Sequence, residues 1–165
     1  MLGRCQLHKI RNVGDRLPQR LRSTVAAKMR RAYHADSALA AEAELSALAA
    51  ELDRTHPGAA ASLREGMAET LTVLRLNLPP TLARTFRSTN AIESMISICR
   101  THASNVKRWR DGTMALRWCA AGMAEAGKQF RRINGHLHLR SLRDTLNRIT
   151  EPTGATRHNE TVDAA

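Results

Sequence analysis

The chain has 165 residues, of which 42% are hydrophobic and 25% are charged. This length allows one domain with a hydrophobic core, and the composition is that of a soluble globular protein. No apolar run approaches the roughly 20 residues that a membrane span needs, and the N-terminus lacks the apolar stretch of a signal peptide. We therefore expect no membrane partner and a cytoplasmic location. The three widely spaced cysteines indicate free thiols rather than a disulfide framework.

The formal net charge is +11, and it is unevenly distributed along the chain. Residues 1–34 hold nine Lys and Arg against one acidic residue, and residues 84–150 hold thirteen against four. The segment between them, 35–83, holds three against seven. A basic field of this size attracts polyanions, of which nucleic acid is the commonest. The alternative interpretation is a basic, solvated surface without a ligand.

Helical periodicity dominates the first half of the chain. Residues 4–13 predict a short helix, and a second helix is expected to open at Pro18, a favoured residue of the first turn. A third helix should run from a cap at Ser37, or at the residue before it, to about Leu52. Residues 62–65 match a capping box and predict the start of a fourth helix, which a pair of prolines should end.

The second half continues the helical pattern. A fifth helix is expected to begin near Asn90, followed by a basic loop or bent helix around residues 104–112. A sixth helix should run from about Thr113 to Phe130, with Trp118 and Phe130 in the core. A last amphipathic helix follows a predicted turn. No segment predicts a strand, so the expected fold class is mainly α.

Cys5 and His8 lie three residues apart and therefore share one face of the first helix. That spacing could offer two ligands to zinc. A structural zinc site needs four ligands, and the sequence shows no second pair with tight spacing. Packing is the favoured interpretation of this pair.

Glu93 is a single acidic residue at the predicted start of the fifth helix. It can form an ordinary cap pair with Asn90, in which Asn90 is the N-cap and Glu93 the third helical residue. A lone carboxylate beside basic sequence can also be a metal ligand at a nucleic-acid site. Periodicity alone favours the cap, and both interpretations stay open.

Basic residues surround Glu93 in the sequence, and they could bind a DNA backbone while an indole stacks on a base or sugar. The alternative is a solvated basic loop with Trp109 in the core. DNA contact is favoured because the basic cluster follows the Glu93 helix closely. The candidate DNA-binding residues are Arg87, Arg100, Lys107, Arg108, Trp109 and Arg110.

Several segments, taken in order, resemble Mutator-type bacterial insertion-sequence transposases. The run RSTNAIESM at residues 87–95 resembles the signature around that family's third acidic residue. Residues 5–13 resemble its Cys-x-x-His element, and residues 60–66 are similar to a segment of its helical insertion. Residues 105–112 and 129–133 resemble its C-terminal region. The ordered set covers about residues 3–150.

The resemblance implies a ribonuclease-H-like core with an Asp-Asp-Glu metal site. In such enzymes two Mg²⁺ ions activate water or a DNA 3′-hydroxyl for attack on a phosphodiester. Glu93 matches the third acid, so it is the implied catalytic residue and Mg²⁺ ligand, while Cys5 and His8 form the implied structural motif. DNA is the implied partner, and the chain itself or a full-length transposase is an expected oligomer partner.

The resemblance also divides the chain into four parts. Residues 1–14 would be a remnant of the catalytic core, residues 15–85 the helical insertion, residues 86–150 the C-terminal part of the core, and residues 151–165 a disordered tail. The family's two Asp residues precede the Cys-x-x-His element and have no match here. We therefore expect a C-terminal fragment that lacks the N-terminal sheet and is inactive alone in strand transfer. The alternative is a non-catalytic DNA-binding or oligomerising remnant.

Overall fold

The computed structural model describes residues 2–150, and within this range the chain is helical and contains no strand. The mainly α class is therefore confirmed, while the predicted tail lies outside the described residues. In chain order the α-helices are α1 (Gln6–Gly14), α2 (Gln19–Ala32), α3 (Ala38–Asp53), α4 (Pro57–Arg64), α5 (Met67–Thr70), α6 (Thr72–Arg75), α7 (Pro80–Phe86), α8 (Asn90–Ala103), α9 (Gly112–Gln129) and α10 (Leu139–Thr150). A short 3₁₀ turn, His136–His138, leads into α10.

The first three helices begin close to where their sequence signals predict. Cys5 is the N-cap of α1, and its Sγ accepts a hydrogen bond from the His8 N–H at 3.5 Å. Pro18 immediately precedes α2, and its ring fixes φ near the value that a first turn requires. Ser37 caps α3 by accepting a hydrogen bond from the Ala40 N–H at 3.1 Å. Local chemistry is sufficient to place these three starts.

The predicted start of the fourth helix at residues 62–65 is wrong. α4 begins at Pro57, which loses nothing there because the first N–H groups of a helix have no partner within it. Ser62 lies in the last turn of α4, where the Lys9 ammonium donates a hydrogen bond to its carbonyl oxygen at 2.6 Å and another to the carbonyl of Glu65. Gly66 follows with a φ of +63° and turns the chain. The Lys9 ammonium of α1 is thus the hydrogen-bond donor to the carbonyl groups at the end of α4.

The proline pair at residues 79 and 80 separates helices in a way that the sequence pattern did not predict. Two single-turn helices, α5 and α6, precede it. Asn77 adopts a φ of +46° just before the prolines, and Pro80 then opens α7 at its first position. The additional helix α7 carries the chain from the first half of the molecule to α8.

The hydrophobic core is formed by α1, α2, α3 and α4, together with the chain up to the start of α6. α3 packs along α4, and α2 packs against both α1 and α3. Met29, Tyr33, Leu45 and Leu63 are fully buried there, together with Val13 from α1. Burial of one Leu or Met side chain contributes roughly 1.5–3 kcal/mol. α1 therefore shares a single core with the segment that the resemblance describes as an insertion.

α8 and α9 form a helical hairpin outside this core. They approach most closely at Gly122, where an added Cβ would lie 2.9 Å from the Cα of Cys99. No residue of α8 is buried, and in α9 the buried residues are Gly122 and Ala126. Large apolar side chains of the hairpin consequently face solvent, including Ile92 at 54% exposure and Leu116 at 70%.

Two aromatic side chains that the sequence pattern placed in the core are exposed. Trp118 of α9 is 37% exposed, and Phe130, which follows that helix, is 52% exposed. Their spacing identified an apolar face of α9 correctly, but nothing in residues 2–150 covers that face completely. The prediction was wrong because helical periodicity reports which face is apolar and not whether a neighbour packs on it.

The C-terminal segment contacts the first half of the molecule through a tight turn. The Thr85 hydroxyl of α7 donates a hydrogen bond to the carbonyl oxygen of Asn134 at 3.0 Å. Gly135 has a φ of +80°, and an added Cβ there would lie 2.6 Å from the backbone nitrogen of Leu82. Only glycine fits this approach, so the predicted turn is also a docking point for α7. Across the described range, every helix is too short or too polar to cross a membrane.

Candidate functional site

Glu93 lies in the first turn of α8, with its carboxylate about half exposed to solvent. The Thr89 carbonyl accepts a hydrogen bond from the Glu93 N–H at 3.0 Å, and the Thr89 hydroxyl donates one to the Glu93 carboxylate. Thr89, not Asn90, is therefore the N-cap residue, and the predicted Asn90–Glu93 cap pair is wrong. Both contacts come from one residue, so they hold the carboxylate close to the helix start.

His8 of α1 contacts the same two side chains. Its Nε2 lies 3.6 Å from the Glu93 Oε1, and its Nδ1 lies 3.4 Å from the Thr89 Oγ1. A backbone hydrogen bond from the Gln6 N–H to the Arg87 carbonyl, at 3.0 Å, also joins α1 to the segment that leads into α8. The Cys-x-x-His element thus meets the Glu93 helix at its start.

The half-buried Cys5 thiol belongs to the same cluster. Burial raises its pKa, but hydrogen bonds from the His8 N–H and from Thr89 outweigh this effect, so the pKa lies below its ordinary value. The thiol is also the cap of α1, which gives it a structural role of its own. Cys5, His8, Thr89 and Glu93 form one hydrogen-bonded group, which we call the Glu93 cluster.

The Glu93 cluster does not by itself fit a magnesium ion. Mg²⁺ prefers oxygen ligands and usually binds one or two carboxylates together with substrate phosphates. The side-chain neighbour of the Glu93 carboxylate here is a ring nitrogen of His8, not a second carboxylate. Over residues 2–150 there is no group of three or more His, Cys, Asp or Glu side chains that could hold a metal ion. A complete site would need further carboxylates beside Glu93.

The basic residues that follow Glu93 in the sequence lie at the other end of α8. The loop between α8 and α9, residues 104–111, contains the cluster Lys107–Arg110, and all four side chains are exposed. α8 has 14 residues and is therefore about 21 Å long. The structure thus separates this loop from the Glu93 cluster, although the two are neighbours in sequence.

An apolar groove lies next to this basic loop, between α8 and α9. Its volume is about 260 Å³, and Met95, Ile96, Trp118 and Met123 contribute to its walls. Trp109 from the loop lines the groove while remaining partly exposed. Arg100, in the last turn of α8, also reaches it. The Trp109 indole is consequently a partly covered side chain rather than the core residue of the alternative interpretation.

Arg87 lies apart from the loop, beside α1, α2 and α7. It follows α7 directly, is half-buried, and lines a cavity formed with α1 and α2. The structure therefore distributes the six predicted DNA-binding residues over three places: one beside α7, one at the end of α8, and four in the loop.

Thr89 is the residue of this cluster that the sequence reasoning did not single out. A signal was present, because Thr89 precedes Glu93 by four residues and side chains at that spacing face each other once a helix forms. The preference for Asn as an N-cap favours Asn90 instead. The contact with His8 could not be inferred from spacing, since more than eighty residues separate the two.

Comparison with known proteins identifies the class of this chain. Residues 1–133 match the model described as "Transposase, Mutator family". The match covers most of the chain and includes both the Cys-x-x-His element and Glu93. The chain belongs to the Mutator family of transposases, a membership that implies interaction with DNA. Neither the curated proteins nor the solved structures gave a match.

Proposed function

We propose that the chain is the Glu-bearing part of a bacterial insertion-sequence transposase. Its family role is metal-dependent DNA cleavage and strand transfer, with Glu93 as the third acidic ligand of a Mg²⁺ site in a ribonuclease-H-like core. The observation that supports this role is the Glu93 cluster, in which Thr89 and His8 hold a solvent-accessible carboxylate at the start of α8. A cytoplasmic location, where DNA is accessible in bacteria, belongs to the same proposal.

In this role the side chains around Glu93 are positioning residues. The Thr89 hydroxyl and the His8 ring both contact the Glu93 carboxylate, which restricts the rotamers of Glu93. Such partners orient metal ligands in proteins and raise the precision of a site. Because no second carboxylate lies in the cluster within the described range, we expect the chain alone to be inactive in strand transfer.

A chimaera tests the role of Glu93 directly. Residues 1–150 replace the matching part of an active Mutator-family transposase, which supplies the two Asp residues. We expect strand transfer with Glu93 and a loss of at least about a hundredfold with Glu93→Gln, because a neutral amide binds Mg²⁺ more weakly. Glu69→Gln, a matched change in α5, should leave the activity intact. Equal activity of the chimaera with and without the Glu93→Gln substitution would reject the assignment.

Metal titration of the chain itself tests the incomplete site. We expect Mn²⁺ to broaden the NMR signals of Glu93 and its neighbours without saturation at low millimolar concentrations, since one carboxylate is a poor site. Saturable binding in that range, abolished by Glu93→Gln, would show that the cluster holds a metal without the two Asp residues.

The loop at residues 104–111 is the proposed DNA contact of the hairpin. Lys107 and Arg108 have no acidic partner among the described residues, and Arg110 contacts its neighbour Asp111 at 3.2 Å. A gel shift with duplex DNA at several salt concentrations measures how many phosphates the chain neutralises. Changing Lys107, Arg108 and Arg110 to Gln should lower the slope of log K against log salt by about two to three.

A matched control uses three exposed arginines outside the hairpin, in the bundle formed by α1 to α4. They are Arg11, Arg20 and Arg54, likewise changed to Gln. This variant removes the same charge, so it separates a general field effect from a loop contact. Equal losses in both variants would contradict a specific role of the loop.

A non-catalytic DNA-binding or oligomerising remnant is the second candidate function. The observation that favours it is the uncovered apolar groove of the hairpin, because exposed apolar patches mark interaction sites. The partner in this case would be a second copy or a full-length transposase. Sedimentation of the chain, alone and mixed with the parent transposase of the chimaera, measures such association. A chimaera that transfers strands only with Glu93 would favour the catalytic role instead.

A further inference from the structure

A cavity of about 450 Å³ lies where α1, α2 and α7 meet, on the first half of the molecule. Its size falls within the range of small-molecule sites, roughly 300–1,000 Å³. Leu7, Ile10 and Pro80 provide apolar walls, and Ser88 also lines the cavity. Ser88 is followed directly by Thr89, so the cavity adjoins the Glu93 cluster along the chain. We call it the arginine pocket.

Three arginines give this pocket its charge. Arg30 comes from α2, Arg84 from α7, and Arg87 from the residue after α7. Within residues 2–150 none of the three forms a salt bridge, whereas Arg4 and Arg64 each pair with a carboxylate. The described residues that line the pocket include no Asp or Glu. Three uncompensated guanidinium groups around one cavity favour an anionic ligand.

One buried polar atom at this place, Arg87 Nε, has no hydrogen-bond partner among the described residues. A buried donor left unpaired costs about 1–3 kcal/mol, so such groups call for an explanation. Burial and the nearby charge of Arg84 also lower the pKa of Arg87 below its ordinary value. An acceptor with negative charge would relieve both penalties at Arg87.

A phosphate group has the chemistry that this pocket requires. Its oxygens accept paired hydrogen bonds from the planar guanidinium fork, which matches phosphate better than a single ammonium does. The apolar walls formed by Leu7, Ile10 and Pro80 could pack against a sugar attached to the phosphate. A free inorganic phosphate would use the arginines but leave these walls without a contact.

We propose that the arginine pocket binds a phosphate group of a DNA strand, held by Arg30, Arg84 and Arg87, with the adjoining deoxyribose against the apolar walls. The pocket is a subsite distinct from the basic loop of the hairpin. The proposal rests on the proposed function only for the source of the phosphate, which is DNA.

Calorimetry of the full chain tests the pocket with two probes, inorganic phosphate and a short thymidine oligonucleotide. Arg84→Gln should weaken the binding of both by about tenfold, the loss of one charge-assisted hydrogen bond. Arg20→Gln is the control, because Arg20 is also exposed on α2 but lies ten residues, about 15 Å, before Arg30. It should change the binding of inorganic phosphate by less than about twofold.

Arg87→Met separates a ligand role from a structural one. The substitution removes the unpaired buried donor while keeping an apolar side chain of similar length, so the thermal midpoint of the free chain should stay unchanged or rise. The increase in this midpoint on adding phosphate should disappear. A large loss of stability without ligand, together with unchanged phosphate binding, would show that Arg87 is structural and would overturn the proposal.

The remaining outcomes are also decisive. Absence of phosphate binding at millimolar concentration, or an equal loss of phosphate affinity in Arg20→Gln and Arg84→Gln, would overturn the assignment of the arginine pocket as a phosphate site. Binding of inorganic phosphate without any preference for the oligonucleotide would overturn DNA as its source. A chain that does not bind phosphate would not affect the chimaera experiment or the gel shift of the loop variant. An inactive chimaera would likewise not affect phosphate binding, so each proposal can be rejected separately.

Discussion

Gly122 sets the distance between α8 and α9, because its missing side chain admits the backbone of Cys99. A Cβ at this position would lie 2.9 Å from the Cys99 Cα and 3.1 Å from its Sγ. We expect Gly122→Ala to destabilise the chain by about 1–3 kcal/mol, since the clash exceeds the gain in helix propensity. Urea denaturation followed by the fluorescence of Trp109 and Trp118, which both lie in the hairpin, measures this change.

Gly127 provides the matched control for that substitution. It lies in the same helix, and an added Cβ there would meet nothing within 4 Å. Gly127→Ala should therefore stabilise α9 by up to about 1 kcal/mol. If both substitutions had the same sign, close packing at Gly122 would not be what holds the hairpin together.

Lys9 is a buried cation whose partners are mainly backbone carbonyls. The residue is 2% exposed, and its ammonium contacts the Ser62 carbonyl, the Glu65 carbonyl and the Glu65 carboxylate. Lys9→Met should cost about 2–3 kcal/mol in the free energy of unfolding, because the last turn of α4 loses its donors. Arg4→Met also removes a partner of Glu65, but at a solvent-exposed pair, and should cost clearly less than Lys9→Met. Equal costs, measured by urea denaturation, would contradict this account.

The residues of the Glu93 cluster differ in how far the sequence predicts them. Cys5, His8 and Glu93 were recognisable because each belongs to a short motif. Their contact was not, since it depends on how α1 packs against the segment before α8. For the same reason the sequence did not predict the arginine pocket as a site: Arg87 was a candidate DNA-binding residue, but Arg30 lies more than fifty residues before Arg84 and Arg87 and meets them only in the folded chain.

At the scale of the helices, stability should differ between the bundle and the hairpin. α2, α3 and α4 contribute fully buried side chains to the core, while α8 contributes none. Hydrogen exchange of the free chain should therefore show α8 and α9 opening in a local event, with lower protection than α2–α4. Uniform protection across both units would show that the hairpin unfolds only with the whole molecule.

The same contrast explains which helices were predictable. α2 and α3 begin next to recognisable start residues, Pro18 and Ser37, so their starts followed from the sequence, whereas α1 buries Gln6 and Lys9 beside Val13 instead of an apolar stripe. α4 was misplaced because its end is stabilised by Lys9, which lies more than fifty residues away. α5 to α7 are short and depend on Gly66 and Asn77, whose positive φ values no periodicity reports.

For the whole molecule, acid should lower stability through carboxylates that are paired in the folded state. Hydrogen bonds from Arg4 and Lys9 hold the pKa of Glu65 below its ordinary value, and Arg64 and Lys128 do the same for Asp53 and Glu125. A depressed folded-state pKa gives stability that is present above the unfolded pKa, about 4, and is lost as pH falls through the folded value. The urea concentration at the unfolding midpoint should therefore decrease when the pH is lowered below about 4.

Two substitutions check the origin of this acid dependence. Glu65→Gln should reduce the fall in the urea midpoint, because the amide cannot be protonated. Asp36→Asn is the control, since its carboxylate forms no ion pair in the described part of the chain. A fall of unchanged size in the Glu65 variant would show that other groups control the acid transition.

The length of α8 can be compared with the base-pair spacing of DNA. From Glu93 to the first residue of the basic loop the helix rises about 16 Å, which corresponds to about five base pairs of B-form DNA. Five base pairs are close to half a turn of the double helix, whose repeat is about ten. A straight duplex lying along α8 would therefore present one groove near Glu93 and the other groove near the loop. The hairpin would then contact a single DNA molecule from one side, at a major and a minor groove half a turn apart.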